Sequence, residues 1–190
     1  DPCSSILDVP VGTGRFVDYY LDKGLSVVGV DISDDMINLS RQKFQSSGHN
    51  CTFFCSSAEN IDYPDQAFDY IICWRLTHLI PLCSLNSILK EFSRLAKKEV
   101  VIQFFSIAPN DVVPIGFLHK FNTIIFSIFH KVVRFFSKRN KKLPWSHIKT
   151  YTHNEKDFLE LVYQNGLHVK TSKKLDDLQY QVTVYVLSKN

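Results

Sequence analysis

The stretch "SSILDVPVGTGRF", Ser4 to Phe16, is the most informative part of this chain. The apolar run Ser5–Val9 predicts a buried strand, and Asp8 lies close to its end. Gly12 and Gly14 follow one residue apart, which predicts a turn with unusual dihedral angles whose backbone is open to a ligand. A helix is expected directly after the turn. A strand, a glycine turn and a helix in this order are typical of α/β proteins that bind a ligand at the strand ends.

Strands and helices alternate along the rest of the chain. The first helix is predicted over Arg15–Lys23, and a second strand, Ser26–Val30, ends at Asp31. Ser33 is expected to cap a helix that reaches about Ser46. Further strands are predicted at 51–55, 68–73, 99–105, 167–172 and 180–188, and further helices at 82–96 and 154–165. This order predicts an α/β fold with a Rossmann-like, doubly wound, mainly parallel sheet and helices on both faces.

Charge is unevenly distributed over the 190 residues. The formal net charge is +3, yet the segment 112–154 contains eight Lys or Arg and no Asp or Glu, so the rest of the chain is net acidic. We expect a single domain over 1–190 with a basic, Phe-rich insert at about 112–150. The first residues already lead into a strand, so we also expect the natural N-terminal segment to be missing.

The five cysteines are odd in number and contain no C-x-x-C pair. Most of them lie in or beside predicted strands. This pattern predicts small buried thiols in a reducing compartment rather than disulfides or a metal site. A cytoplasmic protein is therefore expected.

The sequence of the glycine turn bears on which kind of cofactor the chain would bind. A dinucleotide fingerprint reads G-x-G-x-x-G, and here its third glycine is replaced by Val17. A carboxylate at Asp8 would also repel a pyrophosphate, whereas it would suit a ligand with an amino group or hydroxyls. An NAD-binding Rossmann oxidoreductase is thus disfavoured but stays an alternative.

Three motifs together resemble those of the class I S-adenosylmethionine-dependent methyltransferases. "LDVPVGTGRF" is similar to the first motif, [D/E]-x-G-x-G-x-G, with Pro10 in place of the first glycine. Asp31 in "VVGVDISDDMI" matches the acid after the second strand. "SSAENIDYPDQAFDYIICWRLTHLI" resembles the segment that leads into the fourth strand. The resemblance extends from Ser4 to Phe105, and it implies a seven-stranded sheet whose last strand is antiparallel.

The resemblance also implies a site for S-adenosylmethionine. Asp8 and the backbone at the two glycines would hold the amino acid end, and Asp31 would accept hydrogen bonds from the ribose hydroxyls. Ser57 stands where the family usually has an Asp that reads the adenine amino group. The complete set of expected cofactor-binding residues is Asp8, Val9, Pro10, Gly12, Gly14, Asp31, Ile32, Met36, Ser57, Ala58, Glu59 and Trp74.

The methyl acceptor is expected beside the residues that follow the fourth strand, in "CWRLTHLI". His78 is a candidate general base, Arg75 a candidate for binding a substrate anion, and Trp74 a candidate pocket wall. The N-P-P-Y type of signature of amino-group methylases is absent from this stretch. A histidine that is only bonded locally in the loop is the competing interpretation of His78.

The insert carries six Phe within 117–136 and then the basic run "SKRNKK". Its longest stretch without charge or His, 121–129, is too short to cross a bilayer. The apolar surface has three explanations: a lid over an apolar substrate, a peripheral membrane contact through 117–142, or a contact with a protein partner. The lid ranks first, the membrane contact second and nucleic acid third. Nucleic-acid binding is disfavoured, because no RNA-binding module accompanies the basic residues.

The sequence as a whole therefore predicts a cytoplasmic S-adenosylmethionine-dependent methyltransferase that acts on a small or lipid-like acceptor, with a peripheral position at the membrane as an option. A catalytically degenerate module that binds S-adenosylmethionine without turnover is the alternative that the Ser57 departure leaves open.

Overall fold

The computed structural model describes residues 4–45, 51–106, 150–175 and 181–189. The strands in these ranges are β1 Ser5–Asp8, β2 Ser26–Asp31, β3 Cys51–Cys55, β4 Phe68–Cys73, β5 Ala96–Ser106, β6 His168–Leu175 and β7 Gln181–Ser188. The α-helices are α1 Val17–Asp22, α2 Asp34–Phe44, α3 Leu82–Leu95 and α4 Glu155–Gln164, with a 3₁₀ turn at Thr77–Leu79. All of them belong to one compact unit. The predicted insert at about 112–150 lies almost entirely outside the described residues.

The seven strands form one sheet in the order β3-β2-β1-β4-β5-β7-β6. The pairs among β1 to β5 are parallel, and β7 runs antiparallel to both β5 and β6. The predicted mainly parallel sheet with an antiparallel last strand is confirmed. The strand order reverses between β1 and β4, so their carboxyl ends border the crevice where open α/β sheets bind ligands.

Helices cover both faces of the sheet, as predicted. Successive strand residues point to opposite faces, so Ile6 packs into the core under α1 and α2 while Leu7 packs into the core under α3 and α4. The apolar stripe that the sequence predicts on α3 is buried in the second of these cores, and it consists of Leu85, Ile88, Leu89 and Phe92. The sheet is thereby held rigid on both sides.

A predicted local signal accounts for the start of α2, whereas other boundaries differ from the prediction. The Ser33 hydroxyl accepts a hydrogen bond from the Met36 N–H at 3.4 Å, which is the predicted cap of α2. The first helix is shorter than predicted, because the residues after Gly14 stay in the turn and α1 begins only at Val17. β5 is longer than predicted, since it starts at Ala96 directly after α3.

The prediction that the cysteines are mostly buried is wrong. Among the four that the structure describes, Cys73 is buried, Cys51 is half-buried, and Cys55 and Cys83 are exposed. β3 is an edge strand, and Cys55 ends it. All four thiols are free. None of the described helices has the length and apolar character needed to cross a membrane.

Candidate functional site

The carboxyl ends of β1, β2 and β4 bring the motif residues to one edge of the sheet. Asp8 ends β1, Asp31 ends the neighbouring β2, and Trp74 follows β4 on the other side of β1. Parallel pairing places Asp8 opposite Gly29, so Asp31 lies two residues further along the adjacent strand. The predicted site residues from three separate motifs therefore share one region.

The two glycines of the first turn have different roles. Both have a positive φ, +56° at Gly12 and +71° at Gly14, which favours glycine. A Cβ at Gly14 would lie 2.6 Å from the Phe44 ring, so this glycine is required for packing. A Cβ at Gly12 would meet no atom within 4 Å. The space beside the Gly12 Cα is thus open to a ligand.

The Asp31 side chain connects two loops at this edge. One carboxylate oxygen accepts a hydrogen bond from the Gly12 N–H at 2.9 Å, and the other accepts from the Ser33 N–H at 2.9 Å. The Ser40 hydroxyl also donates to the Gly12 carbonyl at 2.8 Å. Each carboxylate oxygen retains a second lone pair. Asp31 is therefore fixed in place and still able to accept hydrogen bonds from a ligand diol.

Asp8 is a buried acid at the bottom of the site, with an exposed fraction of 2%. Burial, and then the charge of Asp31, raises the pKa of its carboxyl to about 8. The charge of Asp8 in turn raises the pKa of Tyr20 and of Cys73, after burial as the larger cause in each. A cationic group of a ligand beside Asp8 would restore its ionised form. Such a buried acid suits an ammonium group and disfavours a pyrophosphate.

The two residues after Asp8 contribute through the backbone. Val9 is buried in the core, and its N–H donates to the Ile72 carbonyl at 2.9 Å. Pro10 is half-buried, and the Val9–Pro10 peptide bond is cis. Only their carbonyls and the proline ring remain to border a ligand.

Apolar and polar residues after β2 and β3 line the remaining part of this edge. Ile32 is 77% exposed, an unusual state for a large aliphatic side chain, and Met36 is half-buried. Ala58 packs against the core, and Glu59 is exposed. The Ser57 hydroxyl accepts a hydrogen bond from the Glu59 N–H at 3.2 Å, so it caps its own turn.

An ion pair on α3 holds the segment that follows these residues. Glu91 is buried and accepts a hydrogen bond from the Ile61 N–H at 2.8 Å. Arg94 bonds to Glu91 and donates to the carbonyls of Tyr63 and Ile61 at 2.7 and 3.1 Å. This anchor was not predicted from the sequence. Its signal is an acid at a core-facing position of α3 with an arginine three residues later.

Near the expected position of the methyl acceptor, contacts with another loop and with β5 fix the positions of Trp74 and Arg75. The Trp74 ring meets the edge of Phe16 with centroids 6.0 Å apart. Arg75 has a φ of +63°, and its N–H donates to the side-chain oxygen of Gln103 at 3.1 Å. The Thr77 hydroxyl donates to the Gln103 carbonyl at 3.1 Å. Gln103 was also missed, although a glutamine inside the apolar run "VVIQFF" is a visible signal.

His78 packs its ring against Phe105 with centroids 4.5 Å apart. Its Nδ1 atom is buried and has no hydrogen-bond partner within the described ranges. Burial, and then the charge of Arg75, lowers its pKa to about 4, so the imidazole is neutral at physiological pH. The competing interpretation of a locally bonded side chain receives no support at Nδ1.

His153 supports the same loop, although it follows the basic insert in the chain. Its Nε2 lies 3.0 Å from the carbonyls of both Thr77 and Ile80. Carbonyls only accept, so Nε2 carries the hydrogen in this arrangement. His153 was not predicted from the sequence as a site residue, and no local motif marks it.

This chain is similar in sequence and in fold to known methyltransferases. A family profile described as a methyltransferase domain matches residues 6–99. The chain is 30% identical over 101 residues to the phosphatidylethanolamine N-methyltransferase of Cereibacter sphaeroides, covering 51% of this chain and 48% of that protein. It is 29% identical over 76 residues to a ubiquinone biosynthesis O-methyltransferase of Coxiella burnetii, covering 40% and 32%. The chain thus spans less than half the length of either curated relative.

The fold is shared with solved methyltransferase structures. The magnesium protoporphyrin IX methyltransferase of Synechocystis PCC 6803, solved with bound S-adenosylhomocysteine, superposes with a TM-score of 0.69 at 19% identity. That match covers 100% of this chain and 75% of the other.

Proposed function

Because this chain belongs to the class I S-adenosylmethionine-dependent methyltransferases, we propose that it binds S-adenosylmethionine at the carboxyl edge of its sheet and transfers the methyl group to a small or lipid-like acceptor. The observation that carries the proposal is Asp31, whose carboxylate bridges the Gly12 and Ser33 amides and retains free lone pairs. A fixed acceptor pair of this kind fits a ribose diol. Asp8 and the open space beside the Gly12 Cα lie next to it.

The other residues at this edge of the sheet would contact different parts of the cofactor. Asp8, bordered by the backbone of Val9 and Pro10, would hold the ammonium group. Ile32 would give up its exposure by packing on the adenine, with Met36 below it. The segment Ser57–Glu59 would border the adenine edge, where the Ser57 hydroxyl accepts from the Glu59 N–H and retains a second lone pair and its own O–H.

When bound, S-adenosylmethionine supplies an electrophilic methyl group on its sulfonium. The work of the protein is then to hold the acceptor in line, which contributes much of the acceleration in such displacements. Trp74 would form a wall of the acceptor pocket. His78 is neutral at physiological pH, so its unprotonated ring nitrogen can accept a hydrogen bond from the acceptor, but a pKa of about 4 makes it a weak general base.

The acceptor class is supported by relatives and by the sequence of the insert. Proteins of similar sequence are named for phosphatidylethanolamine and ubiquinone biosynthesis. The insert at about 112–150, which is rich in Phe and basic residues, would supply a lid over an apolar acceptor or a contact with an anionic membrane. A cytoplasmic protein with a peripheral membrane contact follows from this proposal.

The cofactor assignment can be tested with Asp31→Ala. Loss of a carboxylate that accepts two ribose hydroxyls should weaken S-adenosylhomocysteine binding by about 1.5–3 kcal/mol, roughly ten- to more than a hundredfold. Isothermal titration with S-adenosylhomocysteine and with NAD measures both affinities. Asp22→Ala, which removes an exposed carboxylate at the end of α1, is the matched control and should bind normally.

Two results would contradict the cofactor assignment. One is NAD binding by the wild-type protein without S-adenosylhomocysteine binding. The other is unchanged affinity in a folded Asp31→Ala variant, which would reduce Asp31 to a residue that joins two loops.

The membrane contact can be tested with liposomes. The wild-type protein should sediment with phosphatidylserine liposomes at low salt, and added salt should weaken this binding by screening the charges. Replacing Lys138, Arg139, Lys141 and Lys142 with Gln should abolish sedimentation at low salt, because the positive charges that attract the anionic surface are then missing. A control variant removes four exposed lysines elsewhere: Lys90, Lys97, Lys173 and Lys174. If the wild-type protein does not sediment, or if both variants behave alike, the insert has no specific role at the membrane.

A further inference from the structure

We propose that the methyl acceptor carries an anionic group, a phosphate or a carboxylate, which Arg15 and Arg75 bind together at the mouth of the site. This inference rests on the proposed function, because it concerns the acceptor of the same reaction. It adds Arg15 to Arg75 as an anion-binding residue, and it specifies that the acceptor is anionic.

Two loops that carry the arginines contact each other through neighbouring aromatic rings. Arg15 lies in the turn after β1 and precedes Phe16, and Arg75 lies after β4 and follows Trp74. The Phe16 and Trp74 rings meet edge to face with centroids 6.0 Å apart and an interplanar angle of 79°. Each arginine is therefore adjacent in sequence to one ring of a contact that joins the two loops. Both loops border the crevice at the switch point between β1 and β4.

Neither guanidinium has a bonding partner in the part of the chain that the structure describes. Four arginines lie in the described ranges, and two of them have structural partners: Arg41 donates to the Phe53 carbonyl, and Arg94 pairs with Glu91 and Asp65. Arg15 and Arg75 have no side-chain hydrogen bond and no ion pair to any described residue. Both residues are exposed by surface area, although the surrounding protein partly shields the Arg75 guanidinium from water. Two like charges that no described acid neutralises leave their donors available for a ligand.

The backbone at Arg75 indicates that the position of this residue is specified. A φ of +63° is unfavourable for a residue with a long side chain. It is maintained by the hydrogen bond from its N–H to Gln103, a side chain that is only 5% exposed within β5. An arginine whose only task was solubility would need neither the strained backbone nor the buried glutamine. The strain is consistent with aiming the side chain at a ligand.

The electrostatics of the loop agree with this placement. Burial, and then the charge of Arg15, lowers the pKa of the Arg75 guanidinium. The nearby His78 is kept neutral by burial and by the charge of Arg75, which lower its pKa. An anion between the two arginines would relieve their repulsion, and its oxygens suit the planar, bidentate geometry of guanidinium groups.

The experiment uses the complete protein saturated with S-adenosylhomocysteine. Isothermal titration first measures binding of that product and then the binding of inorganic pyrophosphate and, separately, succinate to the complex. The variants are Arg15→Gln and Arg75→Gln. Lys90→Gln is the matched control, because it removes an exposed positive charge on α3.

The expected result is saturable binding of at least one anion that weakens about tenfold or more in each arginine variant and is unchanged in Lys90→Gln. Preference for pyrophosphate assigns a phosphate-bearing acceptor, and preference for succinate assigns a carboxylate.

Three results would overturn the inference: no anion binding to the complex, equal binding by all variants, or arginine variants that lose S-adenosylhomocysteine instead. The last would assign the arginines to the carboxylate of the cofactor. Failure of the wild-type protein to bind S-adenosylhomocysteine at the first step would refute the proposed function itself.

Discussion

Replacing Asp8 with asparagine should stabilise the cofactor-free protein while removing its affinity for the cofactor. The carboxyl is 2% exposed and lies near the negative charge of Asp31. Both conditions oppose ionisation and favour a neutral group of the same shape. The amide of an asparagine keeps that shape and never ionises, so it removes the unfavourable electrostatics. It also removes the charge that would attract an ammonium group.

The size of the effect follows from the titration of the two states. The pKa of Asp8 rises from 3.8 to about 8 on folding. Between these values the unfolded chain has lost the proton that the folded protein retains. The wild-type free energy of unfolding therefore falls by about 1.4 kcal/mol for each pH unit in this window, and the loss is complete above about pH 8. The Asp8→Asn variant lacks this slope.

Urea unfolding of both proteins at about pH 5, 6 and 7 measures the difference directly. The advantage of the variant should grow by roughly 2.7 kcal/mol from the lowest to the highest pH, or roughly 5–10 °C in Tm for a chain of this size. Asp22→Asn, at an exposed carboxylate, is the control and should show no such trend. A difference between Asp8→Asn and wild type that stays constant across this range would refute the argument that Asp8 is neutral in the folded protein.

Two further predictions concern the turn and the loop after β4. Gly14→Ala should lower the urea midpoint more than Gly12→Ala, because only at Gly14 would a Cβ lie 2.6 Å from the Phe44 ring; equal midpoints would show that the ring moves aside. Gly12→Ala should mainly weaken S-adenosylhomocysteine binding in a titration. Gln103→Leu should speed hydrogen–deuterium exchange of the peptide containing Arg75, whereas Gln103→Glu keeps an acceptor oxygen and should not. Identical exchange in the two variants would mean that this hydrogen bond does not hold the loop.

The fold was predictable because its signals are local. Alternating strand and helix patterns, the Ser33 cap and the glycine turn each act within a few residues, and together they specify a mainly parallel sheet. The burial of the cysteines was not predictable in the same way. A strand pattern does not say whether a residue lies at the edge of the sheet, and Cys55 does.

Site residues were predictable where a short motif lies at the end of a strand. Asp8 and Gly12 belong to such a motif after the first strand, and Asp31 to another at the end of the second. Their roles are proposals. The residues that support the site were missed because their partners are distant in sequence. Gln103 contacts Arg75 across 28 positions, and His153 contacts Thr77 across 76. Such pairs depend on which strands become neighbours, which no local pattern states.

The position of β7 has a consequence for the order of assembly on the ribosome. This strand follows β6 in the chain, yet it lies between β5 and β6 and is the only described strand that pairs with β6. Synthesis proceeds from the N-terminus, so β5, with its apolar run "VVIQFF", emerges long before the strand that covers its free edge. During that interval the nascent protein exposes an aggregation-prone surface. We expect a chaperone, or another part of the same chain, to reduce this risk until residues 181–188 are made.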